Sequence, residues 1–92
     1  MNYYMVSWQH DFPDEPVLIV SEVDDSRIEV RKIELFPDGS LGFADANYEG
    51  GVTTLSEQEY PPLEEIAASE EFQPIRIEES VFSALWNAAV KQ

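Results

Sequence analysis

The sequence contains no cysteine and only five lysine or arginine residues, against 19 aspartate or glutamate residues. Without cysteine, the chain has no disulfide framework, no thiolate metal site and no cysteine nucleophile. Because binding to nucleic-acid phosphates requires clustered lysine and arginine, we expect no direct nucleic-acid binding, and an anionic membrane surface is disfavoured for the same reason. The formal net charge of −14 instead favours a basic partner.

Long hydrophobic runs and targeting signals are also missing. The uninterrupted apolar stretch Val17–Val20 is far shorter than the roughly 18 residues that a membrane span requires. The first residues lack the basic start and apolar segment of a signal peptide. The sequence therefore predicts a cytoplasmic protein that does not bind membranes.

The composition nevertheless predicts a folded chain. Hydrophobic residues make up 43% of the sequence and aromatic residues 12%, which is too apolar for a disordered acidic tail. A chain of 92 residues can supply one modest core. We therefore expect a single domain that spans residues 1–92.

Alternating apolar residues predict four β-strands in the first half of the chain. In the first strand, Tyr4, Val6 and Trp8 fall on one side, and Tyr3 and Met5 fall on the other. An Asp-Asp-Ser turn follows the second strand and a Pro-Asp-Gly turn follows the third. These strands are expected to pair in order as an antiparallel meander. Their predicted ranges are Tyr3–Gln9, Val17–Val23, Arg27–Phe36 and Ser40–Ala46.

The third predicted strand has a change of phase. Ile28 and Val30 share one side, whereas Ile33 and Leu35 have the opposite parity. An extra residue in a β-bulge near Arg31–Lys32 would place all four apolar side chains on the core side. Cross-strand ion pairs are expected on an exposed face of the sheet, formed by Glu22, Arg27, Arg31 and Glu34.

The rest of the chain predicts two helices. Residues Asn47–Pro62 contain paired glycines and prolines and are interpreted as a long surface loop. A short helix is expected at Pro62–Ser69, because proline suits a first helical turn, and residues Phe72–Ile77 are expected to be extended or connecting. Apolar residues from Val81 to Val90 recur at helical spacing and predict an amphipathic helix. The expected fold class is α+β, a four-stranded antiparallel meander sheet with the short helix and the C-terminal helix packed on one face.

Half of the net charge lies in one quarter of the chain. Residues 57–79 contain eight acidic residues and one arginine, for a net charge of −7. A negative surface raises the association rate of a basic partner, and aromatic residues are enriched in interface cores. A solvated face that keeps the protein soluble is the alternative, and each aromatic residue here could equally anchor a loop to the core. The predicted partner-binding residues are Tyr48, Glu49, Glu57, Glu59, Tyr60, Glu64, Glu65, Glu70 and Glu71.

His10 is the only histidine, and it has the acidic neighbours Asp11, Asp14 and Glu15. A histidine with a carboxylate can act as a base or help to bind a divalent ion. A catalytic zinc site needs further ligands, however, and no serine lies in a Gly-x-Ser-x-Gly turn. We therefore predict no cofactor, no metal site and no catalytic residue, and expect His10 and Asp11 to cap the end of the first strand. A small enzyme or metal-dependent domain centred on these two residues is an alternative.

Several segments together resemble a known family. They are Trp8–Pro16, Ser21–Glu22 with Arg27, Val30–Phe36, Asp38–Gly39, Pro62–Ala67 and the C-terminal helix with Phe82 and Trp86. This pattern resembles a family of small acidic bacterial proteins that is classed as a domain of unknown function, and the similarity covers nearly the whole chain. The family has no established activity, so the resemblance implies no catalytic residues.

Size and acidity also make the chain similar in character to two classes of protein, the immunity proteins of toxin systems and phage-encoded inhibitors of defence complexes. Our leading hypothesis is a non-enzymatic module that binds a basic protein surface, most concretely an immunity-type protein that neutralises a basic toxin. The alternative is a phage-type inhibitor that occupies the nucleic-acid groove of a defence protein. We expect a monomer or a weak homodimer.

Overall fold

In the part of the chain that the structure describes, a six-stranded antiparallel sheet is flanked by two helices. The computed structural model describes residues 1–49 and 52–91. No helix in these two ranges is long and apolar enough to cross a membrane. The elements are, in chain order, β1 (Asn2–Trp8), β2 (Leu18–Val23), β3 (Glu29–Leu35), β4 (Leu41–Asp45), β5 (Tyr48–Glu49), α1 (Leu63–Ala67), β6 (Phe72–Arg76) and α2 (Glu79–Lys91).

The order of the strands in the sheet is β5-β4-β3-β2-β1-β6. Strands β1 to β4 form the expected meander, and the α+β class is confirmed. The expectation of four strands is wrong, because β5 lies inside the segment interpreted as a surface loop and β6 pairs with the free side of β1. The Gly50–Gly51 pair of that predicted loop lies outside the described residues.

The proline in β6 explains why its sequence did not predict a strand. The backbone N–H of Ile77 donates to the Tyr3 carbonyl, and that of Gln9 donates to the Glu71 carbonyl. In an antiparallel ladder of this register, Pro74 falls between hydrogen-bonded pairs, and its nitrogen points to the open edge of the sheet. Pro74 therefore removes no hydrogen bond from the ladder, and it makes the edge a poorer template for a further strand.

The predicted β-bulge in β3 is present, slightly earlier than expected. Glu22 pairs with Arg31, but the next residue, Val23, pairs with Glu29, so Val30 is the extra residue. The extra residue accounts for the change of phase in the alternation of the sequence.

The bulge does not bring every apolar residue to the core. Ile33 is buried as expected, but Ile28 is 41% exposed. Ile28 precedes β3 and closes the turn, where its backbone N–H donates to the Asp24 carboxylate. The prediction that all four apolar residues face the core is therefore wrong for Ile28, and the buried residue at this end of β3 is Glu29.

Helix α2 covers one face of the sheet, as the amphipathic pattern predicted. Phe82 is completely buried and belongs to the same core cluster as Tyr3, Val20 and Ile33. The ring centroids of Tyr3 and Phe82 lie 5.3 Å apart. We call this side of the sheet the helix face.

The opposite side, which we call the loop face, is covered by residues 52–62 and α1. Thr53 is completely buried, and a Cβ atom on Gly42 would collide with the Thr53 hydroxyl, so the close approach of this segment to β4 requires glycine. Ile66 of α1 lines a groove together with Val6 and Ile19 of the sheet. The two helices thus lie on opposite faces, which corrects the expectation that both pack on one, and α1 is shorter than the predicted Pro62–Ser69 helix.

The charged residues expected on an exposed sheet face are mostly covered. Glu22 and Arg31 form the predicted cross-strand ion pair, with 2.6 Å between Arg31 Nε and Glu22 Oε1, but the pair lies under α2. The Arg31 guanidinium lies 4.9 Å from the ring centroids of Phe82 and Trp86. Hydrogen bonds from Arg31 hold the pKa of the Glu22 carboxyl below its usual value.

Candidate functional site

Six of the predicted partner-binding glutamates lie together in the chain and are all exposed. They belong to the segment that covers the loop face, to α1 and to the turn before β6. Within residues 1–49 and 52–91, none of them forms a salt bridge. We call this set the acidic face: Glu57, Glu59, Glu64, Glu65, Glu70 and Glu71.

In the described part of the chain, no basic side chain pairs with the acidic face, because four of the five lysine and arginine side chains bond to other groups. The fifth, Lys91, lies at the end of α2. Arg27 bonds to the carbonyls of Tyr60 and Pro61, Arg31 to Glu22, Lys32 to Glu29, and Arg76 to Asn2 and Tyr4.

Arg27 anchors the loop that carries the acidic face. Its Nε donates to the Tyr60 carbonyl at 3.0 Å and a terminal nitrogen donates to the Pro61 carbonyl at 2.7 Å, while the Tyr60 N–H donates to the Arg27 carbonyl. Arg27 adopts a left-handed backbone conformation, with φ of 68°, which is uncommon for a residue other than glycine. The contacts to the loop offset this conformational cost.

Tyr60 serves as the aromatic part of the same anchor. Its ring stacks on Tyr4, with centroids 5.0 Å apart and planes inclined by 10°. Burial raises the pKa of the Tyr60 hydroxyl to about 12, and the nearby Glu29 carboxylate acts in the same direction. The structure thus places this predicted partner-binding residue as a loop anchor.

A buried polar network fixes the loop at a second point. Glu29 accepts hydrogen bonds from the Ser21 hydroxyl at 2.7 Å and from the Ser56 N–H at 2.9 Å. Lys32 Nζ lies 3.1 Å from the Glu29 carboxylate and donates to the Thr54 carbonyl. Because its carboxylate has three partners, Glu29 tolerates burial that an unpaired charge would not.

Between the loop and the sheet lies a groove of about 390 Å³. Its apolar lining includes Val6, Ile19 and Phe72, and Glu59 and Glu65 of the acidic face also border it. An apolar floor beside charged groups is the common arrangement of a protein interface, in which the rim carries the charge.

The structure separates the predicted residue Tyr48 from the acidic face, whereas Glu49 lines one recess together with Glu57 of that face. Tyr48 is 50% exposed and stacks on Phe43, with ring centroids 4.9 Å apart. Phe43 contacts Trp86 of α2, so this pair belongs to the helix face. The Glu49 carboxylate accepts a hydrogen bond from the Leu55 N–H and holds the loop after β5.

His10 uses both of its ring nitrogens within the chain. Nδ1 accepts the Phe12 N–H at 2.9 Å, which places the proton on Nε2, and Nε2 donates to the Pro16 carbonyl at 2.8 Å. The ring packs 4.3 Å from the Trp8 ring. His10 therefore organises the loop between β1 and β2. In the part of the chain that the structure describes, no group of three or more His, Cys, Asp or Glu side chains could hold a metal ion.

The acidic segment and the His10 loop, which the sequence suggested as two unrelated sites, meet at Trp8. Its indole Nε1 donates to the Glu71 carboxylate at 3.3 Å, and its ring lies 5.5 Å from Phe72. Trp8 also contacts the rings of His10 and Phe12. The alternation in β1 placed Trp8 on the same side as Tyr4 and Val6, which was the available signal for this contact. Because β6 was not predicted as a strand, its residues were not expected beside Trp8.

The fold and this surface define a small α+β domain with an acidic face on one side of its sheet. A family model described as a domain of unknown function (DUF6881) matches residues 2–91, and the chain belongs to this family. The family membership confirms the resemblance to a family classed as a domain of unknown function. No curated protein and no solved structure matches the chain.

Proposed function

We propose that the protein is a non-enzymatic binding module whose acidic face covers a basic surface of a partner protein. The observation that carries this proposal is the charge distribution. Six exposed glutamates form no salt bridge among the described residues, while four of the five basic side chains are engaged within the chain.

The acidic face has a physical cost that a basic partner would relieve. Carboxylates of one sign in neighbouring segments repel each other, and this repulsion destabilises the compact state. A complementary surface removes the repulsion and steers the approach of the partner. The apolar groove beside Glu59 and Glu65 adds area that association can bury.

The most concrete form of the proposal is an immunity-type protein that neutralises a basic toxin. An inhibitor that occupies the nucleic-acid groove of a defence protein would use the same charges. Catalysis is not part of the proposal, because His10 has both ring nitrogens bonded within the chain.

The test starts with capture of partners from cells that carry the gene, followed by kinetics with the purified partner. The double variant Glu59→Gln/Glu70→Gln removes two charges of the acidic face. The matched control, Asp25→Asn/Glu78→Gln, removes two exposed charges elsewhere. We expect association to slow several-fold in the first variant and with rising salt, and to change little in the control.

Two results would contradict the proposal. One is a partner whose contact surface is neutral or acidic. The other is an association rate that responds neither to salt nor to Glu59→Gln/Glu70→Gln. If a nucleic acid that binds the partner competes with the protein, the inhibitor form is favoured over other forms of the same proposal.

A further inference from the structure

We infer that a recess beside Trp8 receives the cationic group of one lysine or arginine side chain of the partner. This inference rests on the proposed function and identifies a specific contact within it. The recess has a volume of about 390 Å³ and is lined by Trp8, Phe12, Pro13, Asp14 and Glu15.

Two aromatic rings form walls of the recess. The ring centroids of Trp8 and Phe12 lie 6.5 Å apart and their planes are inclined by 59°. The faces of aromatic rings carry negative charge density, and tryptophan attracts cations most strongly among them. A guanidinium or ammonium group in the recess would therefore border both aromatic side chains.

The loop holds Phe12 in place although the ring itself is 58% exposed. His10 accepts the Phe12 N–H and donates to the carbonyl of the buried Pro16, so both sides of the loop are fixed. The rings of His10 and Phe12 also stack, with centroids 5.4 Å apart. A recess that is already ordered loses little conformational entropy when a ligand binds.

Carboxylates supply the charge that complements a cation. Asp14 and Glu15 line the recess and are exposed. Within residues 1–49 and 52–91, neither forms a salt bridge. The aromatic walls and the carboxylates thus favour the same kind of occupant, a cation with an apolar stem.

On the helix face, a cation of the chain itself already lies beside a tryptophan and a carboxylate. There, the Arg31 guanidinium lies 4.9 Å from the Trp86 ring centroid and pairs with Glu22. In the described part of the chain, no lysine or arginine side chain lies over Trp8, the second tryptophan, whose ring neighbours are aromatic side chains and His10. A cation supplied by the partner would lie beside Trp8 and the carboxylates of the recess, as Arg31 lies beside Trp86 and Glu22.

The position of the recess connects it to the acidic face. Trp8 bonds to Glu71 through its indole nitrogen, and its ring lies near the rings of both Phe72 and Phe12. A partner that lies on the acidic face can therefore insert one basic side chain into the recess. The occupant we commit to is this side chain, and not a free small cation.

The experiment uses short peptides and the two indole N–H resonances of the full chain. Acetyl-Gly-Arg-Gly-amide and its lysine analogue are titrated, with a citrulline analogue as the neutral control of similar shape. We expect a saturable shift of the Trp8 indole, about fivefold tighter for arginine than for citrulline. Trp86, on the helix face, is the internal control and should not move.

Variants test which groups carry the affinity. Phe12→Leu keeps an apolar side chain and removes the ring, and Asp14→Asn/Glu15→Gln removes the charges. Both should weaken arginine binding at least threefold, whereas Asp25→Asn/Glu78→Gln should leave it unchanged. Because the altered side chains are exposed, the variants should fold, which the dispersion of the amide spectrum checks.

The inference is overturned by the absence of a saturable Trp8 shift, by equal affinity for arginine and citrulline, or by parallel shifts of Trp8 and Trp86. Tighter binding of choline than of either basic peptide would assign the recess to a small quaternary ammonium ligand and would also overturn it. If the peptides fail while Glu59→Gln/Glu70→Gln slows partner association, only this inference falls. If the peptides bind but association with the partner is insensitive to charge, the proposed function falls.

Discussion

Tyr3 and Tyr4 are neighbours in β1, but their hydroxyl groups meet opposite charges on the two faces of the sheet. On the helix face, the Tyr3 hydroxyl donates to the Glu22 carboxylate at 2.9 Å and also lies 3.2 Å from the Glu79 carboxylate. Burial, with a further contribution from Glu22, raises the pKa of Tyr3 to about 12. On this face, the phenol therefore meets acidic groups from β2 and from the first turn of α2.

On the loop face, the Tyr4 hydroxyl accepts hydrogen bonds from Arg27 at 3.3 Å and Arg76 at 3.4 Å. Burial alone would raise the pKa of Tyr4, but the hydrogen bonds from these two arginines lower it below its usual value. Here, Arg27 attaches the irregular segment at Tyr60 and Pro61 to the sheet. On this face, Arg27 bonds to Tyr4 and to the loop that carries the acidic face, and among the described residues it pairs with none of the six exposed glutamates.

The two faces should differ most in how their stability responds to truncation of an apolar side chain. Phe82→Ala removes a completely buried ring from the helix face, and we expect a loss of about 4 kcal/mol in the free energy of unfolding. The matched change Val81→Ala, at an exposed position of the same helix, should cost less than about 1 kcal/mol. Urea denaturation measures both. Similar losses for the two variants would show that α2 does not close the core.

On the loop face, stability should depend on buried charge. Glu29→Gln removes the carboxylate that pairs with Lys32, and we expect a loss of about 2 kcal/mol. Glu34→Gln is the control in the same strand, because burial raises the pKa of Glu34 and makes its neutral form the easier one to bury. Its effect should be under about 0.5 kcal/mol or stabilising. Hydrogen exchange of the Ser56 N–H, which bonds to Glu29, should speed up in Glu29→Gln alone, and unchanged exchange would contradict the role assigned to Glu29.

Alkaline titration gives a smaller but direct comparison of the two faces. We expect Tyr4 to ionise below the ordinary value of 10.0 and Tyr3 near 12. Since the folded state holds the Tyr3 proton more tightly, the corresponding stability is fully present below pH 10 and is lost as pH rises toward 12. Tyr3→Phe should reduce this loss by roughly 1 to 2 kcal/mol. Tyrosine resonances labelled at Cζ give the pKa values, and ionisation of Tyr3 before Tyr4 would reverse the assignment of charge to the faces.

Local patterns were sufficient for much of the fold. The alternation in β1 correctly assigned Tyr3 and Tyr4 to opposite sides, the turns gave the order of the first four strands, and helical spacing gave α2. The strand β6 was not predicted, because a proline such as Pro74 disfavours a strand unless its backbone nitrogen faces an open edge. The burial of Glu29 was not predicted, because it depends on the position of the bulge at Val30, which the sequence indicated only approximately.

The candidate site was predicted in part. The concentration of acidic residues after residue 56 marks the acidic face in the sequence. That Tyr60 anchors the loop and that Tyr48 lies on the helix face depends on ring contacts with Tyr4 and Phe43, which are distant in the chain. No local signal distinguishes an exposed tyrosine from an anchoring one.

The sequence by itself determined the charge balance of −14, its concentration after residue 56, and the regular elements that alternation and helical spacing encode. Only the tertiary structure determines which charged side chains form ion pairs or hydrogen bonds and which remain exposed. It also decided that Trp8 meets Glu71, 63 positions away, and so joined two acidic segments on one surface. The physical reason is that propensity and periodicity act over a few residues, whereas hydrogen bonds, ion pairs and ring contacts between distant residues depend on the register of the paired strands.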